Sequence, residues 1–166
     1  MTPLDQCQHW VNEFVVGLDL CPWARAPLQS DTVRWRSTQA AQLEALVAEV
    51  VFEAEQLQQH HDIETTLLVL AEPAAVLDFD SMNELVAVSE AVLEDLGLLD
   101  TVQLVGFHPD FRYAEADPLD PANHTNRSPV PMVHLLRRAA LEALQIDGAR
   151  VSERNAALLR GRASEA

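Results

Sequence analysis

The side chains best suited to chemistry are concentrated between His108 and Arg137. This stretch holds three of the six histidines and five of the nine prolines, with many side chains that form hydrogen bonds. A loop that only connects two elements does not need so much polar and conformationally restricted sequence. The composition therefore predicts a functional loop over residues 109–128, which leads into a helix.

The segment Asn126–Pro131 is typical of a helix start. A serine side chain can accept a hydrogen bond from a free amide of the first turn, and proline fits the first helical position because an N–H there would have no partner within the helix. A helix over Met132–Leu144 would direct its free amide groups and positive end toward Asn126, Arg127 and Ser128. With the guanidinium fork, these groups predict a site for an anionic small molecule or a peptide carboxylate. Two other interpretations stay open. The segment could only cap the helix, or Asn126 and Arg127 could bond only to backbone carbonyls and hold the loop.

Three histidine and arginine side chains could complete such a site. His134 and Arg137 are three residues apart and would share one face of the predicted helix, so both could point toward Arg127. His108 follows a buried strand, where ligands bind in open α/β sheets and a histidine is the usual proton carrier. Each of these side chains could instead have a purely structural role. His134 could lie in the core with one hydrogen bond, Arg137 could pair with an acidic side chain on the surface, and His108 could anchor the loop that follows it.

Cys21 is the candidate nucleophile. Its thiolate would be stabilised if the fold brought it close to His108 or Arg127. The alternative is a small buried hydrophobic residue, which is the commoner fate of a free cysteine. Zinc bound by Cys21, His108 and His134 would have suitable ligand types. No short ligand pair in the sequence supports it, so no metal or other cofactor is predicted.

The charge of the chain is strongly negative, with a formal net charge of −15 and a pI of about 4.5. All eleven basic residues are arginines, which excludes a Schiff-base lysine, a phosphate-loop lysine and a lysine general base. The negative field argues against nucleic acid and anionic membranes as partners. An acidic surface without lysine can also reflect genomic base composition or a salty cytoplasm.

Length and hydrophobic content fit a single domain over residues 1–166, since 48% of the residues are hydrophobic. The apolar runs are too short to cross a bilayer, and no basic region precedes an apolar stretch at the N-terminus. Two cysteines suit a reducing compartment. These features predict a cytoplasmic protein.

Hydrophobic spacing predicts helices that alternate with strands. Apolar residues recur every three or four positions in four segments, which indicates helices over Leu4–Leu18, Gln39–His60, Asp78–Leu96 and from Val151 onward. Short apolar or alternating runs indicate strands over Thr32–Ser37, Thr65–Ala71 and Thr101–Phe107.

This alternation favours β-α-β units. We therefore predict an α/β domain with a small, mainly parallel three-stranded sheet covered by about five helices. The strand before His108 should lie at or next to the centre of the sheet. An antiparallel pairing of Thr32–Ser37 stays open, because its alternation is typical of an exposed edge strand.

Several motifs along the chain form a recognisable set: Val15–Ala24, Glu64–Val69, Asp78-Phe79, Phe107–Pro109, Asn123 with Thr125–Pro129, Pro131-Met132, His134–Arg137 and Glu153–Asn155. With these motifs the chain resembles the family known as domain of unknown function 1415, which consists mostly of bacterial proteins. The resemblance covers nearly the whole chain and implies a stand-alone single domain. It implies no particular reaction.

The leading hypothesis for function is a small cytoplasmic enzyme that acts on an anionic small molecule or peptide carboxylate. Its anion would be held by Asn126, Arg127 and Ser128 with help from Arg137. The chemistry would fall to His108, Cys21 and His134, as acid/base, nucleophile and orienting group. The alternative is a non-enzymatic module that binds an anion or a peptide with the same arginines.

Overall fold

A computed structural model describes residues 1–71 and 77–165 of the chain. The architecture is α/β: a four-stranded mixed sheet with helices on both faces. The strands are β1 (Val33–Thr38), β2 (Thr65–Leu70), β3 (Val102–Phe107) and β4 (Met132–Arg137). The α-helices are α1 (Pro3–Trp10), α2 (Arg25–Gln29), α3 (Leu43–Gln59), α4 (Phe79–Asp95), α5 (Arg138–Ala143) and α6 (Gly148–Ser164).

The sheet has the strand order β1-β2-β4-β3. β1 pairs parallel with β2, whereas β4 is antiparallel to both of its neighbours. Because β4 is inserted between β2 and β3, the strand before His108 lies at an edge and not near the centre. The predicted three-stranded, mainly parallel sheet is therefore wrong in strand number and in direction. β1 is the other edge strand, as its alternation indicated, but it is parallel to its neighbour.

The predicted helix over Met132–Leu144 is also wrong, since its first half is strand β4. Val133 and Leu135 pack into the core beneath α3 and α4, while His134 faces the other side of the sheet. That alternation has the two-residue period of a strand. Only the remainder is helical, as the short helix α5.

The other predicted elements agree with the structure to within a few residues. The clearest case is α4, where the Asp78 side chain accepts a hydrogen bond from the Ser81 amide at 2.8 Å and caps the helix. At its other end Gly97 adopts a left-handed conformation with φ of +69°, which glycine reaches without steric cost.

The main core lies between the sheet and helices α3 and α4. It is built mainly from buried aliphatic side chains of the two helices and of strands β2, β3 and β4, among them Val50, Leu57, Leu68, Leu85 and Leu135. The opposite face is covered differently, by α1 and by a smaller cluster that includes Cys7, Leu67 and Met132. The elements on this second face leave part of it open, and the candidate site lies there.

Helix α1 continues into a π-helical segment, Val11–Val16, of the kind often found at functional sites. The wider turn brings the Glu13 carbonyl so close to Gly17 that a Cβ there would clash with that oxygen. Glycine is therefore required where this segment ends. Asp19 then takes a left-handed conformation with φ of +53°, which turns the chain toward Cys21.

None of the helices within the described residues is both long enough and apolar enough to cross a membrane.

Candidate functional site

A groove of about 530 Å³ opens on the face of the sheet that α1 leaves uncovered. Its floor is the outer surface of β3 and β4, where Val105 and His134 are directly paired. The segment Leu20–Trp23 forms one wall, and the first turns of α6 form another. Thr125 and Asn126, from the end of the 109–128 loop, close a third side. The volume falls within the usual range for small-molecule sites, about 300–1,000 Å³.

His134 is the titratable side chain in the floor of this groove. Its Nε2 lies 2.7 Å from the Thr65 Oγ1, and the same hydroxyl donates to the Leu135 carbonyl at 2.7 Å. Because a hydroxyl has one proton and a carbonyl only accepts, His134 Nε2 must be the donor to Thr65. The proton of a neutral imidazole is therefore on Nε2. Nδ1 is left as a free acceptor, with no partner in the described part of the chain.

Burial lowers the pKa of His134 from 6.5 to about 4. The cause is desolvation, which disfavours the charged imidazolium. Two aromatic rings provide this environment: Trp23 and Phe107 lie with ring centroids 6.4 and 6.0 Å from the imidazole. At neutral pH His134 is therefore an uncharged hydrogen-bond acceptor.

Helix α6 holds the Cys21 wall in place. The Asn155 amide donates to the Leu20 carbonyl at 2.7 Å, and Asn155 is itself 3% exposed. Arg154 binds both the carbonyl and the carboxylate of Asp19. This wall follows Asp19, whose backbone is left-handed, and it belongs to no helix or strand. Hydrogen bonds from α6, which is distant in the sequence, therefore hold it in place. Cys21 is held half-buried at the edge of the groove.

The groove is electrostatically neutral at its surface. Among the described residues that line it, none carries a charged side chain. Most are aliphatic or aromatic, and the ones with polar groups are Cys21, Gln103, Tyr113, Thr125, Asn126, His134, Ser152 and Asn155. This is unexpected in a chain of net charge −15, in which acidic residues outnumber basic ones by 26 to 11.

The other predicted catalytic histidine, His108, is engaged by the backbone. It is 3% exposed, its Nδ1 accepts from the Asp110 amide at 3.0 Å, and its Nε2 donates to the Leu77 carbonyl at 3.0 Å. With both nitrogens occupied, the imidazole anchors the turn after β3. This is the structural alternative, and it places His108 outside the groove.

Arg127 is also engaged by the backbone. Its Nε donates to the Phe111 carbonyl and its terminal nitrogen to the Pro118 carbonyl, both at 2.8 Å. The side chain borders a separate cleft that is also lined by Asp78, Asp80, Asp110 and a second arginine, Arg112. The guanidinium that was predicted to hold an anion thus binds backbone carbonyls of the 109–128 loop, in a cleft that contains three carboxyl groups and one other arginine.

The remaining predicted anion-binding residues are dispersed. Ser128 caps no helix, because the next element is strand β4, and its hydroxyl donates to the Val130 carbonyl at 2.6 Å. Asn126 alone of the set lines the groove with His134. Since β4 is a strand, His134 and Arg137 point to opposite faces and not to one. The Arg137 guanidinium donates to the Leu57, His60 and Ile63 carbonyls and so satisfies the end of α3.

Within residues 1–71 and 77–165, no cluster of three or more His, Cys, Asp or Glu side chains is arranged to hold a metal ion. The zinc set considered from the sequence is not assembled, because His108 is turned toward the backbone while Cys21 and His134 line the groove.

The fold and the groove define an α/β protein with a mixed four-stranded sheet and one neutral cleft on its less covered face. The chain belongs to the family described as protein of unknown function, DUF1415, whose model matches residues 2–166. The resemblance inferred from the motifs is thereby confirmed. No curated protein and no solved structure matches the chain.

Sequence reasoning missed three residues that define the groove. Thr65 sets the tautomer of His134, Trp23 desolvates it, and Asn155 fixes the wall that carries Cys21. All three lie in the family motifs, so the motifs were the available signal. Their roles depend on contacts between segments that are far apart in sequence, and no local pattern shows these contacts.

Proposed function

We propose that the groove binds a small, uncharged and largely apolar molecule that donates a hydrogen bond to His134 Nδ1. The observation that carries the proposal is the free acceptor of a neutral imidazole in the floor of a cleft without charged lining. Apolar walls with few convergent polar groups are the usual composition of small-molecule sites. The Asn126 side chain, which also lines the groove, can supply a second polar contact.

Charge supports this choice of ligand. An anion would enter against a net charge of −15 and would meet no cationic side chain among the described lining residues. Transfer of an ion from water into an apolar site without a partner is strongly unfavourable. An anionic substrate therefore stays a prediction from sequence, and the proposal replaces the anion by a neutral hydrogen-bond donor.

A matched pair of probes tests the proposal. Benzamide and benzoate have nearly the same shape, but only benzamide is neutral and donates N–H groups. We expect calorimetric titration to detect benzamide binding, with benzoate at least about tenfold weaker. His134→Phe should weaken benzamide binding about two- to tenfold, the range of one net hydrogen bond, while the exposed control His61→Phe should not. Benzoate binding as tight as benzamide would contradict the proposal and favour the anion site.

A second candidate function, a thiol-dependent hydrolase, is favoured by one observation: Cys21 lines the same groove as His134. In that reaction the Cys21 sulfur would attack a carbonyl carbon, forming a thioester while the bond to the leaving group breaks. His134 Nδ1 would carry the thiol proton to the leaving group. Water would then cleave the thioester, yielding a carboxylic acid and restoring the thiol.

The pKa of His134 weighs against this candidate. A general base works best with a pKa near the operating pH, and a histidine with a pKa of about 4 accepts a proton poorly at pH 7. Hydrolysis of p-nitrophenyl acetate separates the two functions. A burst that disappears in Cys21→Ser would support the hydrolase. Identical slow rates in the parent, Cys21→Ser and the buried control Cys7→Ser would support binding without chemistry.

A further inference from the structure

A second cavity, called here the inner cavity, lies next to the groove. It occupies about 70 Å³ between α1, α2 and the outer face of the sheet. The two cavities share a partition made of Val15, Cys21, Trp23, Phe107 and His134, which line both. A ligand in the groove that touches His134 is therefore in contact with a side chain that also lines the inner cavity.

The inner cavity is more apolar than the groove. Apart from the shared partition, its lining is Trp10, Val11, Ala24, Pro27, Leu28, Val33, Thr65, Leu67 and Met132. Thr65 is the polar member, and its hydroxyl is already committed to His134 and the Leu135 carbonyl. The surface that these described residues present to the cavity is almost entirely apolar. The volume is also well below the usual range of a complete ligand site.

These properties identify a subsite and not a separate site. We propose that the inner cavity takes the unbranched apolar tail of the ligand, while the donor group of that ligand meets His134 Nδ1. The inference rests on the proposed function and specifies its ligand class: a neutral amphiphile with a short linear chain. The partition orients the molecule, because its polar end meets the imidazole and its tail extends between Trp10 and Val33.

The size of the inner cavity should appear as a chain-length limit. Each buried methylene group raises affinity about fourfold, until the cavity is full. Linear primary amides from propanamide to octanamide keep one donor head and vary only the tail. In the parent protein we expect affinity to rise with each carbon and then to level off, as measured by isothermal titration calorimetry.

Two matched variants locate the tail. Ala24, the residue before α2, lines only the inner cavity, whereas Ala26 in the first turn of α2 is exposed and lines neither cavity. Ala24→Phe should fill the inner cavity and abolish the dependence on chain length, while propanamide binding stays within about twofold. Ala26→Phe should behave as the parent does. Val33→Phe, on strand β1 and also lining only the inner cavity, repeats the test if Ala24→Phe unfolds.

Each outcome supports or overturns the proposal. Loss of the length dependence in Ala24→Phe or Val33→Phe, but not in Ala26→Phe, supports the tail subsite. Amide binding that is insensitive to chain length in the parent, or a length dependence that survives both filling variants, overturns it while the proposed function stands. If no amide of any length binds, and benzamide does not bind either, the proposed function fails and the subsite with it.

Discussion

The groove and the 109–128 loop differ in how their polar side chains are used. In the loop, His108, Asn123 and Arg127 each make at least two hydrogen bonds to backbone atoms. In the groove, His134 uses one nitrogen for Thr65 and keeps the other free. The loop has the greater density of polar residues, but the groove has the available acceptor.

This difference shows that the number of polar residues in a segment does not by itself identify a ligand-binding site. A long loop has no regular ladder for its own amide and carbonyl groups, and buried groups without partners are costly. Side chains must supply those partners. In a loop rich in Asn, Arg and His, hydrogen bonds to the loop's own backbone can therefore occupy all the polar side chains. A site needs a polar group that folding leaves without a full set of partners.

The largest expected effect concerns the loop. Asn123 is fully buried, accepts from the Tyr113 amide at 3.0 Å and donates to the Asp117 carbonyl at 2.9 Å. Asn123→Ala removes both hydrogen bonds and leaves a cavity in place of a fully buried side chain, so we expect a loss of about 3–4 kcal/mol in unfolding free energy. Urea denaturation measures it, with the exposed neighbour His124→Ala as control. A loss below about 1 kcal/mol would show that the loop is not held by this residue.

The next effect concerns the groove and its pH dependence. The pKa of His134 is lowered from 6.5 to about 4 on folding, so between these values the unfolded chain binds the proton more tightly. Stability is therefore lost as pH falls from 6.5 to 4, by about 3 kcal/mol from this residue.

Substitution isolates that contribution. His134→Gln should flatten the dependence of unfolding free energy on pH across this window, and His61→Gln, an exposed histidine, should leave it unchanged. Denaturant titrations at pH 4, 5, 6 and 7 give the comparison. Parallel curves for His134→Gln and the parent would mean that His134 is not desolvated, and the contrast between groove and loop would weaken.

The smallest effect tests whether Arg127 is structural. Lysine keeps the charge but loses one of the two bonds to the Phe111 and Pro118 carbonyls, so we expect Arg127→Lys to destabilise by about 1–2 kcal/mol. The fall in Tm should be the same with and without phosphate. Arg150→Lys, an exposed arginine on α6, is the control. Phosphate stabilisation of the parent that is lost in Arg127→Lys would restore the anion site.

Local patterns predicted most of the elements because their physical causes are local. The three- and four-residue spacing in α3 and α4 and the apolar run of β2 all agree with the structure. β4 was mispredicted because its flanks imitate a helix. Ser128-Pro129 resembles a cap, and the run from Met132 to Arg137 is apolar enough for either period.

The amino-acid sequence by itself determined the α/β class, the family, the strand and helix character of most segments and the strongly acidic charge. These follow from composition, short-range spacing and motif identity. The tertiary structure decided which polar residues are free. Folding brings Thr65 to His134 across 69 positions, and Asn155 to Leu20 across 135. Whether a histidine anchors a loop or faces a ligand depends on which distant groups fill its hydrogen-bonding positions, and only long-range packing brings those groups together.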